Sequence, residues 1–113
     1  MTGGVEVRPP TSLDVYLICR NLREHDRREI FGLMPHDDPA MLAQAVMARP
    51  LDWTRIFYRD GTPCAILGAV PYWPGVWEVF SFGTPDWRRV ALAVTRHGIH
   101  TLLPAVYGTG AHR

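Results

Sequence analysis

The chain has 113 residues, 47% of them hydrophobic, and a formal net charge of +1, which suits one globular domain around one modest core. A chain so near neutrality lacks the electrostatic footprint of a dedicated nucleic-acid binder, and no apolar run approaches the ~20 residues of a membrane span. Met1-Thr2-Gly3-Gly4 does not read as a signal peptide, and Cys19 and Cys64 show no framework spacing, so the expectation is reduced thiols and a cytoplasmic setting.

Val5-Glu6-Val7-Arg8 alternates and is stopped by Pro9-Pro10, which predicts a short first strand. Thr11-Ser12-Leu13-Asp14 fits a capping box with Thr11 as the cap. The helix it opens carries Val15, Ile18, Cys19 and Leu22 on one stripe, continues through a charged half from Arg20 to Glu29, and is ended by Gly32 and Pro35. A second helix starts with Asp38 as cap and Pro39 at the first helical position, buries Leu42, Ala45 and Val46, and closes at Arg49-Pro50.

Trp53–Tyr58 is expected to be a strand that runs into the hairpin signal Asp60-Gly61. The next strand, Cys64–Val70, is apolar without alternation, the mark of a strand covered on both faces. Trp73-Pro74-Gly75 turns the chain into a third strand of this meander, Val76–Phe82. A long helix is predicted from Pro85 to about His97, kinked at Gly98, resuming to Leu103 and limited by Pro104; the tail from Gly108 is polar. The order β-α-α-β-β-β-α, with adjacent strands and segregated helices, makes an α+β domain.

In that order, "VEVRPPTSLDVYLICRNLREHDRREI" resembles the first strand and first helix of a GNAT-type N-acetyltransferase, and "WTRIFYRDGTPCAILGAVPYWPGVWEVFSFGT" its second to fourth strands. Arg23-Glu24-His25-Asp26-Arg27-Arg28-Glu29, the exit Phe82-Gly83-Thr84 and Trp87 are similar to a phage and prophage branch of GNAT-like proteins that includes internal virion proteins of podoviruses. The resemblance covers essentially all of residues 1–113. It implies a mixed, mostly antiparallel sheet flanked by helices. It also implies that the chain stops before the family's fifth strand, fourth helix and closing hairpin, leaving the fourth strand with an unpaired edge open to a second copy or another protein. The family's glycine-rich phosphate loop falls on Phe82-Gly83-Thr84-Pro85-Asp86-Trp87-Arg88-Arg89, where only Gly83 remains and Pro85 has no N–H to give.

The implied activity is transfer of an acetyl group from acetyl-CoA to an unidentified small-molecule or peptide amine, in a bacterial host's cytoplasm or in a virion. The alternative is a catalytically inactive phage protein that keeps the fold as a structural or interaction module. Under the first reading Glu78 is the base. Period two groups it with Val76, Phe80 and Phe82, and a carboxylate among aromatics is desolvated toward a useful pKa; the competing reading is an exposed Glu paired with Arg55 or Arg59. Arg88 and Arg89 sit in a helix's first turn, where cations are disfavoured unless an anion such as the CoA pyrophosphate lies between them; otherwise they face solvent or pair with Asp86. Thr84 is a helix cap that also reaches a ligand, or a cap alone. Ser81, Phe82 and Gly83 line the cofactor arm by resemblance, or are ordinary strand.

Arg23, Asp26, Arg27 and Glu29 read as a solvated face with ion pairs such as Arg23–Asp26. His97 with His100, and His36-Asp37-Asp38, lack the spacing of a zinc site, so no metal is expected. The four tryptophans read as core and rim, and no partner is expected among nucleic acids or membranes.

Overall fold

The computed structural model describes residues 4–108. Strand β1 (Val5–Arg8) is followed by helices α1 (Ser12–Cys19), α2 (Glu24–Gly32) and α3 (Pro39–Met47). The meander β2 (Arg55–Arg59), β3 (Thr62–Trp73) and β4 (Val76–Gly83) comes next. A 3-10 turn (Pro85–Arg89) then leads into helices α4 (Ala91–His97) and α5 (Leu103–Gly108). The fold is α+β, and its four strands lie in the order β1-β2-β3-β4. Every pairing is antiparallel, so the mixed sheet expected above is wholly antiparallel among the described residues.

Local chemistry explains most of these elements. Asp60 (φ 51) and Gly61 (φ 78) both take the left-handed conformation that a two-residue hairpin turn demands. Thr11 Oγ1 accepts from the Asp14 N–H at 3.2 Å and Asp38 Oδ1 from the Ala40 N–H at 2.9 Å, so both predicted caps are made. Cys64–Val70 is buried throughout, because α1 and α3 cover one face of the sheet and the α4–α5 segment the other. Ile56, Tyr58, Ile66 and Phe82 face the first layer; Phe57, Leu67 and Ala69 pack under Val90, Val94, Leu102 and Val106 in the second. The Tyr58 hydroxyl donates to the Asp14 carboxylate and pins α1 to β2; burial first, then that bond, pushes the phenol pKa up.

On α3, Ala43 is buried and Ala45 is exposed, contrary to expectation, and three expectations about helix bounds are corrected. The single helix through Arg20–Glu29 is two, because Asn21 N–H turns back to the Ile18 carbonyl and Arg23 is extended (φ −61, ψ 152). Leu22 stays buried at the break as an anchor. The segment after Thr84 begins as a 3-10 turn rather than an α-helix. Finally, Pro104 does not end the last helix: a π-helical stretch, Gly98–Leu102, precedes it and the chain continues helically to Gly108. A wider turn relieves the clash between a proline ring and the carbonyl four residues back.

Among the described residues β4 is an edge, paired with no strand but β3. Among the described residues, no helix is long and apolar enough to cross a membrane.

Candidate functional site

The exit of β4 is where the sequence concentrated its candidate residues, and the structure gives Glu78, Gly83, Thr84 and Arg89 partners within the fold. Along β4, Glu78, Phe80 and Phe82 share the α1/α3 face, as period two requires, and the rings of Phe80 and Phe82 stack at 6.2 Å. Ser81 is exposed on the opposite face, across from Leu67 in register. Glu78 is not desolvated among these aromatics: it is exposed and forms an ion pair with Arg49, whose guanidinium also lies 5.5 Å from the Phe80 ring centre. The burial on which its role as a base was argued is therefore absent, and its partner is Arg49 rather than Arg55 or Arg59.

Gly83 and Thr84 are buried. The Gly83 N–H donates to Asp26 Oδ2 at 2.9 Å, and the Gly83 carbonyl accepts the Arg23 N–H at 2.9 Å. Thr84 N–H goes to the Cys64 carbonyl at 2.9 Å; Asp86 N–H goes to Thr84 Oγ1 at 3.1 Å and Trp87 N–H to the Thr84 carbonyl at 2.9 Å. Pro85 has no N–H. Every amide from Gly83 to Trp87 is thus absent or already bonded inside the fold.

Asp26 stands where a bound anion would stand. It is 4% exposed, and its carboxylate takes the Arg23 Nε at 2.6 Å in addition to the glycine amide. Arg23 in turn lies over Trp87, 4.4 Å from the ring centre. The expected Arg23–Asp26 pair forms, but Asp26 is interior rather than part of a solvated face. A sequence signal for it exists on α2: Asp26 lies four residues before Ile30, on the side of the helix that packs against the core.

Arg88 and Arg89 end the 3-10 turn and precede α4, which opens at Ala91, rather than lying in an α-helix's first turn. Both are exposed, and Arg89 Nη2 reaches Asp60 Oδ2 on the β2–β3 hairpin at 3.0 Å, so its guanidinium already has an anionic partner.

These residues do not fit the CoA pyrophosphate at the turn. The backbone donors are spent, and the internal carboxylate of Asp26 repels a second anion there. The open cleft beside the turn, about 490 Å³ between α1 and the hairpin, presents Asp86 as well as Arg20 and so has no bias toward a polyanion.

Burial pushes the Cys19 thiol up to about 12 and raises that of Cys64, so neither is a thiolate. His25, Asp26 and Glu29 come within ligating distance of one another, but the Asp26 carboxylate is already held by Arg23, a cation where a metal would have to sit. His36 Nδ1 accepts the Asp38 N–H at 3.1 Å, which makes that cluster part of the α3 cap.

His97 packs edge-on against Phe57 at 5.5 Å; burial first, then nearby Arg55, lower its pKa. The fold therefore prefers the neutral ring. The stability this group contributes is complete above its ordinary value of 6.5 and is lost as the pH falls through its depressed folded value. The urea midpoint is expected to fall between about pH 7.5 and pH 5, and to fall less in His97→Gln. An equal fall in both proteins would show that other groups set the dependence.

No protein-family model matches this chain, and no curated protein matches it in sequence.

Proposed function

We propose that the protein is a catalytically inactive, GNAT-like protein of phage or prophage kind that works as a structural module, assembling with a second copy of itself through β4. The observation that carries this reading is the spent turn: the amides that would hold a cofactor phosphate are committed to Asp26, Cys64 and Thr84.

Among the described residues, what is left open is the edge of β4. Strand residues two apart send N–H and C=O to the same side. The outward groups of Gly83 are taken by Arg23 and Asp26 at one end of the strand, and those of Ser81, Val79 and Trp77 point along the same open edge. Val76–Gly83 carries no proline and no basic residue, the usual guards of an edge. Val79 is 49% exposed, and Tyr72 and Trp73 extend the apolar surface at the strand's far end. A two-fold axis at Val79 sets Glu78 across from Phe80 and Trp77 across from Ser81, with no like charges opposed. A net charge of +1 adds little repulsion between copies.

Light scattering at micromolar concentration is expected to give a dimer. Ser81→Pro removes an outward N–H without touching the β3 ladder, and Val79→Lys charges the edge; both are expected to give folded monomers. A wild-type protein that stays monomeric at hundreds of micromolar would overturn the assembly.

A second reading is acyl transfer to an amine with Glu78, exposed on β4 and paired with Arg49, as base. Release of free thiol from acetyl-CoA in the presence of an amine panel decides it. Turnover lost in Glu78→Gln would replace the inactive reading; no turnover is the expected result.

A further inference from the structure

We propose that the cleft between the end of β2 and α4, lined by Arg59, Arg89 and Arg96, binds a phosphate-bearing small molecule. It has a volume of about 490 Å³, and its lining residues are these three arginines with Val5, Leu92 and Ala93. No acidic side chain is among them.

The three arginines come from separate parts of the fold. Arg59 is the last residue of β2, Arg89 closes the 3-10 turn and Arg96 lies in the last turn of α4. Packing of the α4–α5 layer against the sheet therefore brings together three guanidinium groups, of which that of Arg89 is bonded to the Asp60 carboxylate. Arg59 supplies the second observation: its Nε is buried and makes no hydrogen bond among the described residues. A buried charged donor without an acceptor is unfavourable, and an oxyanion in the cleft would supply the missing acceptor. Arginine forks match phosphate oxygens two at a time. Val5, Ala93 and Leu92, the last 64% exposed, give the walls an apolar part to hold the rest of a ligand. Glu6, the nearest acid on β1, alternates to the other face of the sheet and pairs with Arg8.

A small ligand fits better than a nucleic acid. The three arginines line one open cleft of limited size, and the chain carries almost no net charge to draw a polymer.

The test is calorimetric titration of inorganic pyrophosphate into the full chain at low salt. Binding at a single site with a Kd below about 1 mM is expected, weakened about tenfold in Arg96→Ala. Arg96 is exposed, so this variant is expected to melt with the wild type. Arg59→Lys keeps the charge but loses the fork and is expected to weaken binding as well, whereas Arg28→Ala on α2 is expected to leave it unchanged. No heat at about 10 mM pyrophosphate, or an affinity indifferent to both cleft variants, overturns the proposal. So does duplex DNA that binds more tightly than pyrophosphate with a steep salt dependence, since the surface would then be a nucleic-acid one. The site is independent of the β4 edge: Val79→Lys is expected to bind pyrophosphate normally, and Arg96→Ala to keep the oligomeric state.

Discussion

Replacing Asp26 with alanine is expected to remove about 3 kcal/mol of stability, measured by urea unfolding with an unchanged m-value. The carboxylate is interior, with 5% of its side chain exposed, and it satisfies two donors from different elements: the Gly83 amide and the Arg23 guanidinium. Alanine leaves the amide without an acceptor in a buried position and frees Arg23 from its seat over Trp87. Arg23 is about one-third exposed, so part of its charge is already solvated, which places the loss at the lower end of the range for a broken buried pair. Asp26→Asn keeps an acceptor for the amide and is expected to lose about half as much. Arg23→Ala is expected to fall between the two, since the Arg23 backbone bond to Gly83 survives it. A change below ~0.5 kcal/mol in Asp26→Ala, the level of an ordinary surface substitution, would mean that this clamp does not hold α2 to the sheet.

The parts of the fold that were legible are those fixed by neighbours in sequence. Asp60-Gly61 dictates its turn, Thr11 and Asp38 dictate two helix starts, and the unbroken apolar run Cys64–Val70 could only be a strand buried on both faces. Period two also put Glu78, Phe80 and Phe82 on one face of β4 correctly. The break at Arg20–Arg23 was not legible, because the stripe Val15, Ile18, Cys19, Leu22 runs through it with no glycine or proline to interrupt. What pays for that break is a bond between residues 57 positions apart, from Gly83 to Asp26. Arg49 was missed for the same reason, being 29 residues from Glu78. At the candidate site the residue types were read from the sequence and their partners were not. Whether an arginine pair receives an anion or a glycine approaches a ligand depends on what the rest of the chain has already placed there.

Gly83→Ala is expected to destabilise the protein by about 2–3 kcal/mol and to separate two explanations of that glycine. If Gly83 existed to let backbone approach a cofactor phosphate, the alanine protein would fold normally and lose only ligand binding. The local geometry argues otherwise. A Cβ at Gly83 would lie 2.6 Å from the Cys64 carbonyl oxygen and 2.8 Å from Trp87 Cε3. The first contact is backbone of the central strand, which cannot yield without disturbing the Thr84–Cys64 bond. The second pushes on the ring beneath Arg23. Gly68→Ala provides the comparison: its Cβ would meet Phe80 Cζ and Thr54 Oγ1, both at 2.6 Å; the ring can turn aside but Thr54 is fully buried and stiff at χ1, so a loss of similar size is expected without any ligand role. Adding Trp87→Ala to Gly83→Ala removes the ring contact and leaves the carbonyl one, so the double variant is expected to be more stable than the sum of the two single losses predicts. Full additivity, or a Gly83→Ala protein as stable as the wild type, would return the glycine to a ligand-facing role and reopen the turn as a cofactor site.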